Sequence, residues 1–257
     1  MPLYSATCPL PVNRIKNRLF DADARAFIST AGITDRVARG QINSFVIGVK
    51  ALGLYNNMVC WPFRSTQNAG TGTTAYSLGG LGIYNGTLIG SPIRNLGGLN
   101  FLTGNFASRV SVSPFVLLQP FCFYCCMSFP TATVAAGVFD DSEISARLFN
   151  FSSSGKIDME APTPRLTSTA SFTNLQKIFI SAQYSGATSV IGLNNSTNTG
   201  NAGIGGLNNL IIGNNRNINY ANKNYEIAFC MFTNTSSLNS EIFNLYKTTL
   251  GQGLGLP

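Results

Sequence analysis

The spacing of apolar residues changes once along this chain, near residue 57. Before that point it is helical, because apolar residues recur at steps of three and four in Ala38, Ile42, Phe45, Val46, Val49 and Leu52. A shorter helix is expected ahead of it, with Asp21 as its N-cap and Gly32 as its left-handed stop. Thr34 is the predicted cap of the second helix, and Gly53 its end. The pattern therefore predicts a two-helix segment over residues 21–56.

After residue 57 the pattern favours strands. Short apolar or alternating runs are separated by Gly- and Asn-containing turns, which is typical of a β-sandwich or a barrel. Two of these runs are apolar on both faces and are expected to be central: Phe121–Phe129 and Tyr225–Phe232. The twelve predicted strands are Met58–Phe63, Thr87–Ile89, Leu99–Phe101, Arg109–Val112, Phe121–Phe129, Val134–Phe139, Ala146–Phe151, Leu166–Thr169, Lys177–Gln183, Ser189–Leu193, Asn209–Ile212 and Tyr225–Phe232.

The two ends of the chain complete the predicted organisation. Residues 1–20 contain Pro2, Pro9 and Pro11, which block helix and strand alike, so an extended arm is expected there. A short apolar face near the C-terminus predicts a closing helix that begins at its cap, Asn239. We therefore expect three parts: an arm over 1–20, a helical adaptor segment over 21–56, and a sheet domain with a C-terminal helix over 57–257.

Charge is sparse and mostly positive. Charged residues make up 11% of the chain and the formal net charge is +7, with 10 acidic residues. The densest basic cluster is Arg14, Lys16 and Arg18, and no basic stripe alternates with aromatic residues. We therefore expect no nucleic-acid partner. No segment has the pattern of a signal peptide or a membrane span, so the chain is expected to be made in a reducing cytoplasm and to have no membrane partner.

The residues available for chemistry are few. Histidine is absent, which removes the commonest general base and the commonest metal ligand. Cys122 and Cys125 have metal-binding or redox spacing, but on one extended strand they point to opposite faces. The cysteines are therefore expected to be buried thiols: Cys8, Cys60, Cys122, Cys125, Cys126 and Cys230.

Two groups of carboxylates could carry a site. Asp140, Asp141 and Glu143 form either a metal loop or a solvated turn after a strand, and the turn is favoured. Asp158 and Glu160 alternate along an extended segment, so they share a face. Glycosidases place two carboxylates about 5–10 Å apart, and the sequence does not bring these two groups together. We therefore assign no catalytic, cofactor or metal residue and expect that the chain is not an enzyme.

Three further segments allow a binding role beside a structural one. Asn194 to Asn224 could be a recognition loop whose amides bond sugar hydroxyls, but turn chemistry is favoured. Trp61 could stack on a sugar, and packing is favoured. Gly70–Thr74 and Gly203–Leu207 resemble phosphate loops but do not have the Lys that such loops need, so surface loops are expected.

A resemblance adds to this interpretation. Its first group of segments is Asp21-Ala-Asp-Ala-Arg-Ala-Phe-Ile, Ala31-Gly-Ile-Thr-Asp35, Gln41-Ile-Asn43, Val49-Lys-Ala-Leu-Gly-Leu54 and Met58–Phe63. These look like the N-terminal region of bacteriophage structural proteins. Its second group is Tyr84-Asn-Gly-Thr-Leu88, Leu96-Gly-Gly-Leu-Asn-Phe101 and Leu238-Asn-Ser-Glu-Ile-Phe-Asn-Leu-Tyr246. These are similar to parts of laminin-G/concanavalin-A-like jelly rolls.

The resemblance implies a mainly β fold, an antiparallel two-sheet jelly-roll sandwich preceded by two short helices and closed by a C-terminal helix. It also implies a place on a virion. Members of the wider fold bind carbohydrate, often with calcium. The acidic group Asp140, Asp141 and Glu143 offers too few carboxylates for the six to eight oxygens that calcium takes, so we expect no calcium or other cofactor.

The expected function is that of a non-enzymatic phage virion structural protein. It would display the jelly roll on the particle as capsid decoration or as a tail component. The arm and helices would dock it to other virion proteins, and it would form a homo-oligomer in the assembly. The alternative is a receptor- or glycan-binding module of a tail fibre that recognises a host-surface glycan through the loops around residues 64–82 and 194–224.

Overall fold

Two antiparallel β-sheets packed face to face form the body of the protein, and three helices lie on one of them. The computed structural model describes residues 20–101, 108–129, 136–140, 146–150, 155–173, 175–213, 225–235 and 239–257. The predicted fold class, a mainly β two-sheet sandwich with helices before and after it, is confirmed.

Sheet A contains the two strands that were expected to be central. Its order is β14-β13-β12-β7-β16-β5-β4, and β1 pairs with β16 beside β5. Its strands are β1 (Met58–Pro62), β4 (Ile93–Arg94), β5 (Leu99–Phe101), β7 (Phe121–Ser128), β12 (Ile178–Tyr184), β13 (Ser189–Leu193), β14 (Ser196–Gly200) and β16 (Tyr225–Thr233). In β7 and β16 both faces are buried, because one faces the other sheet and one faces the helices.

Sheet B is the second layer of the sandwich. Its order is β11-β10-β9-β8-β15-β6-β3-β2. Its strands are β2 (Thr74–Ala75), β3 (Gly86–Ile89), β6 (Arg109–Leu117), β8 (Ala136–Asp140), β9 (Arg147–Asn150), β10 (Asp158–Glu160), β11 (Arg165–Thr167) and β15 (Leu207–Gly213). Positions alternate between buried and more exposed in β3 and the first half of β6, as expected for a sheet with one solvent-facing side.

An aromatic core fills the space between the sheets. Phe123 and Phe232 lie 4.7 Å apart between ring centroids, and Phe139 of sheet B lies 4.6 Å from Phe123. Trp61 is fully buried in the same core, and its Nε1–H donates to the Tyr84 carbonyl at 2.8 Å. Packing, rather than sugar stacking, is therefore the role of Trp61.

The helices cover the outer face of sheet A. They are α1 (Ala22–Thr30), α2 (Arg36–Ala51) and α3 (Asn239–Thr248). Phe45 of α2 and Tyr246 of α3 both pack on Phe229 of β16, with centroid distances of 5.7 and 4.6 Å. Within the described chain, the sheet residues of this second core all belong to sheet A. The helical segment therefore shares a core with the sandwich.

Both N-terminal helices begin at an aspartate. The Asp21 side chain accepts from the Asp23 N–H at 2.9 Å, as predicted. The second helix differs from the prediction, because Asp35 rather than Thr34 accepts from the Ala38 N–H at 2.7 Å. Both residue types cap helices well, so local preference did not separate two adjacent candidates. Gly32 and Gly53 have φ of +63° and +70° just past the two helix ends, as expected.

The twelve predicted strands are all present, ten of them with shifted ends, and the described residues contain four further strands. The additional strands are β2, β4, β10 and β14. Strands β2 and β4 have two residues each and are too short to show an alternating pattern. Strand β14 is polar and largely exposed, so it has no apolar residues that would predict a strand. Each helix in the described part of the chain is too short or too polar to traverse a lipid bilayer.

The cysteines behave as expected where the structure describes them. Cys122 packs towards the helices and Cys125 towards the other sheet, so the two thiols face opposite sides of β7. Burial raises the pKa of the Cys122 thiol to about 11 and that of Cys126 to about 12. Cys8 lies outside the described residues, as does the basic cluster Arg14, Lys16 and Arg18.

Candidate functional site

The outer face of sheet B differs from that of sheet A, because no described helix packs on it. One line of paired residues crosses this sheet from edge to edge and takes one residue from every strand. In order from β2 to β11 it is Thr74, Thr87, Ser111, Ile211, Asp140, Arg147, Glu160 and Arg165. We call these eight residues the transverse row. Adjacent strands lie about 4.8 Å apart, so the row extends over roughly 30 Å.

The composition of the transverse row changes along its length. Its β2–β3–β6 end carries hydroxyl side chains on Thr74, Thr87 and Ser111. The inward neighbours Leu88 and Val110 lie in the core, which places Thr87 and Ser111 on the outer face. Its other end carries Arg147, Glu160 and Arg165, whose charges alternate in sign from strand to strand. Hydroxyl, carboxylate and guanidinium groups together supply both hydrogen-bond donors and acceptors.

The charged end of the row is held by Glu160. Its carboxylate forms ion pairs with Arg147 on one neighbouring strand and with Arg165 on the other, the latter at 3.2 Å. The Glu160 side chain is 4% exposed, whereas those of Arg147 and Arg165 are 21% and 39% exposed. The carboxylate therefore lies beneath two guanidinium groups and holds them against the sheet. Both arginine side chains remain partly exposed to solvent above the buried carboxylate.

A second carboxylate supports this arrangement one position along β10. The Thr167 hydroxyl donates to Asp158 Oδ1, and Asp158 is nearly fully buried. Met159 between the two acids points into the core. The prediction that Asp158 and Glu160 share a face is therefore confirmed. Neither carboxylate is open to a substrate, so the pair does not form an acid–base site of the glycosidase kind.

One residue of each predicted carboxylate group lies in the transverse row. Asp140 pairs with Arg147, which pairs with Glu160, so Asp140 and Glu160 lie two strands apart in the same row. That separation is about 10 Å between backbones. Asp140 ends β8 and so belongs to a strand, not to a turn after Phe139. Asp141 and Glu143 lie outside the described residues, so neither the metal loop nor the turn is decided for them.

Three side chains of the asparagine-rich segment form hydrogen bonds with backbone groups. The Asn194 Oδ1 accepts from the Phe179 N–H at 2.9 Å, and the Asn198 amide donates to the Thr167 carbonyl at 2.8 Å. Asn201 accepts from the Gly203 N–H. These contacts agree with turn chemistry, which the sequence favoured. Residues 214–224 of the segment lie outside the described residues.

The glycine-rich segment at Gly203–Leu207 is held firmly. The Gln119 amide donates to the carbonyls of Gly203 and Gly205, and its oxygen accepts from the Gly186 N–H at 2.9 Å. A Cβ on Gly203 would overlap the Ala161 carbonyl. This loop therefore packs against β10 and is not the flexible surface loop that was expected. Ile204 within it remains exposed.

Loop 64–82 has a structural role in the part nearest the helices. Arg64 donates to the carbonyls of Leu96, Leu250 and Gln252, and the buried Asn68 amide donates to the Pro62 and Tyr76 carbonyls. These bonds anchor the C-terminal tail and shape the loop. Residues 70–73, at its exposed tip, are the part of this loop left for recognition.

Arg147 and Arg165 are the site residues that the sequence did not single out. Each looks like an isolated basic residue, and its partner Glu160 lies 13 residues away from one and five from the other. The two arginines could have been identified from a pattern across three neighbouring strands, in which an acidic residue on the middle strand lies between basic residues on the outer two. Recognising that pattern requires the strand register.

Comparison with known proteins gives structural neighbours alone, since no family model and no curated protein matches the sequence. A Trypanosoma rangeli sialidase in complex with sialic acid superposes with a TM-score of 0.51 at 11% identity, covering 75% of this chain and 33% of the sialidase chain. A covalent-intermediate complex of that sialidase with 2,3-difluorosialic acid gives 0.55 at 9% identity, covering 81% and 38%.

A third neighbour is botulinum neurotoxin type C, a toxin that needs interaction with two ganglioside molecules to enter cells. It superposes with a TM-score of 0.56 at 10% identity, covering 77% of this chain and 52% of the toxin chain. This chain thus spans about a third to a half of the solved chains that it matches. At such identities the likeness shows the β-sandwich fold.

One prediction changes with these neighbours. The prediction that the chain is not an enzyme is wrong, because the neighbours that share its fold include sialidases, which are enzymes. The absence of histidine therefore does not exclude the chain from enzymes of this fold. The virion role, by contrast, stays a prediction, since none of the neighbours named here is a bacteriophage protein.

Proposed function

We propose that this chain is a carbohydrate-binding module that holds sugar on the outer face of sheet B. The observation that carries the proposal is the transverse row, in which Thr74, Thr87 and Ser111 supply hydroxyl groups at one end and Arg147, Glu160 and Arg165 supply charges at the other, on the face free of described helices. Sugar hydroxyls both donate and accept hydrogen bonds, so a surface that alternates donors with acceptors suits them.

Arg165 is the row residue best placed to contact a ligand directly. Its guanidinium is anchored to Glu160 on one side and is 39% exposed on the other. Pre-positioning reduces the entropy lost when a flexible arginine binds. The neighbours add support at the level of fold, because the sialidase complex contains sialic acid and the toxin interacts with gangliosides. Carbohydrate binding was the alternative expectation from the sequence, but with the loops as its site.

A glycan array tests this function. The full chain should bind a defined subset of glycans in a saturable way, and Arg165→Ala should reduce that signal to background. Lys247→Ala, on α3 against the opposite sheet, is the matched control and should bind as the unchanged protein does. Absence of saturable binding to any glycan, at concentrations where the protein is folded, would contradict the proposal.

A further inference from the structure

The helical layer carries three arginines whose guanidinium groups have no acidic partner. They are Arg25 on α1 and Arg36 and Arg39 on the first turn and a half of α2, and all three are exposed. Among the described residues, none of these guanidinium groups forms an ion pair or a hydrogen bond, and Arg39 lies 5.6 Å above the ring of Phe20.

Four of the five other arginines in the described chain have partners within the protein; the fifth, Arg109, has a buried Nε without a hydrogen bond. Arg64 and Arg94 donate to backbone carbonyls, and Arg147 and Arg165 pair with Glu160. Near the three helical arginines the acid is Asp35, whose side chain caps α2. Over residues 20–51, four basic residues stand against three acids, because Lys50 and the pair Asp21 and Asp23 also belong to these helices, so the two-helix segment has a surplus of +1. Such a surplus favours an anionic partner.

Two depressions flank the start of α2. One, of about 470 Å³, has an apolar floor formed by Phe20, Ile28 and Ile33, with Arg25 and Arg39 at its rim. The other, of about 550 Å³, lies between α2 and the end of α3. Arg36 and Val37 border the second one, and Val37 is 65% exposed. The corner therefore combines exposed guanidinium groups that have no acidic partner in the described chain with accessible apolar surface.

Charge also indicates what does not occupy this corner. The six residues before Phe20 add Arg14, Lys16 and Arg18, and residues 1–19 contain no acid, so like charges disfavour the arm itself as the occupant. A second copy of the chain has few free acids to offer. In the described chain, Asp21 and Asp23 pair with Lys50, Glu160 with two arginines, and Glu226 with Lys177.

We propose that the α1–α2 corner docks an acidic, amphipathic segment of a different protein. Carboxylates of that segment would form charge-assisted, bidentate hydrogen bonds with Arg25, Arg36 and Arg39. An aliphatic side chain between those carboxylates would enter the depression floored by Phe20, Ile28 and Ile33. This surface lies across sheet A from the transverse row, so a docked chain would keep its sugar-binding face free.

Synthetic peptides and the full chain test the proposal by fluorescence anisotropy. The probe is a labelled peptide that alternates glutamates with one central leucine, and its match replaces that leucine with glutamine. Arg25→Ala/Arg39→Ala should weaken binding of the leucine peptide at least about tenfold. Thr34→Trp should do the same by filling the depression, whereas Thr30→Trp, on the same surface but outside the depression, should not.

Four results would overturn the proposal. The arginine or Thr34 variants could bind as the unchanged chain does, or the glutamine peptide could bind as well as the leucine peptide. A single-stranded oligonucleotide or an anionic phospholipid vesicle could bind more tightly and depend on the same arginines. Finally, sedimentation could show a dimer that these variants dissociate, which would make a second copy the occupant. Thermal unfolding of each variant confirms that it is folded.

Discussion

Gly48 of α2 lies directly against the Leu245 side chain of α3. A Cβ at residue 48 would overlap the Leu245 Cδ1 atom, so this contact requires the absence of a side chain. The helix pair covers sheet A, and Phe45 and Tyr246 beside the contact pack on the same phenylalanine of β16. The close approach of α2 and α3 therefore joins the N-terminal helices to the C-terminal end of the chain.

Replacing Gly48 with valine should destabilise the protein by about 1–3 kcal/mol, because the added methyl groups force Leu245 and α3 away from sheet A. Denaturant unfolding followed by the emission of Trp61 measures the change, since Trp61 is the single tryptophan and is fully buried. Gly40→Val is the matched control on the same helix, because a Cβ on Gly40 meets no atom within 4 Å. Equal losses in both variants would show that the contact with Leu245 is unimportant.

Replacing Glu160 with glutamine should cost about 1–3 kcal/mol of stability, since two arginines lose the carboxylate that holds them. Arg165→Ala should cost less, because Arg165 is partly exposed and Arg147 still pairs with Glu160. Thermal unfolding of the two variants compares them. Glu241→Gln, at an exposed position in the first turn of α3, should lower the midpoint much less than Glu160→Gln. A larger loss for Arg165→Ala than for Glu160→Gln would contradict the central position of Glu160.

The Asp21–Lys50 pair should make stability depend on pH. The hydrogen bond that Lys50 donates lowers the pKa of the Asp21 carboxyl below 3.8, and the bonds that Lys50 donates to Asp21 and Asp23 raise its own pKa above 10.5. The lowered pKa means that stabilisation is present above pH 3.8 and is lost as pH falls through the folded-state value. The raised pKa means that it is present below pH 10.5 and is lost as pH rises through the folded-state value.

Asp21→Asn separates this charge effect from helix capping, because asparagine caps as well as aspartate. Near neutral pH the variant should be less stable by up to about 1 kcal/mol, the range of partly exposed pairs, and the difference should vanish in acid. Urea unfolding across the pH range measures it. In a Lys50→Met background, the stability difference caused by Asp21→Asn should depend much less on pH. If that pH dependence is unchanged, Lys50 is not its cause.

The buried cysteines should resist alkylation in the folded protein. Five of them are buried, and burial raises the pKa values of Cys122 and Cys126 to about 11 and about 12, which leaves little reactive thiolate at pH 8. In a Cys8→Ser variant, iodoacetamide should add no label before unfolding and five labels after it, as read by intact mass. Rapid labelling of the folded variant would show that a described cysteine is accessible.

The sequence predicts what depends on local pattern and leaves out what depends on register. The apolar repeat of α2 and the doubly buried runs of β7 and β16 were recognisable because neighbouring positions carry the signal. The cap of α2 was misplaced by one residue, since Thr34 and Asp35 have similar local preference. Strand β10 was not predicted, because a methionine between two acidic residues is not the pattern of a buried strand. In the structure, Asp158 and Glu160 are nevertheless buried.

The transverse row could not be predicted from the sequence, because it depends on the register between strands. Arg147 and Glu160 become neighbours because β9 pairs with β10, and Arg165 joins them because β11 pairs with β10. A shift of one residue in either register would move these side chains to the opposite face. Carboxylates were therefore visible as candidates, whereas the arginines that give Glu160 its role were not.

Titration of the strongest array glycan into the protein tests the central claim most directly. We expect saturable heat of binding for the unchanged chain and an affinity at least about tenfold lower for Arg165→Ala, whose guanidinium faces solvent beside Glu160. Lys247→Ala should bind with unchanged affinity. Equal affinity of the Arg165→Ala variant and the unchanged chain would contradict a sugar site on the outer face of sheet B.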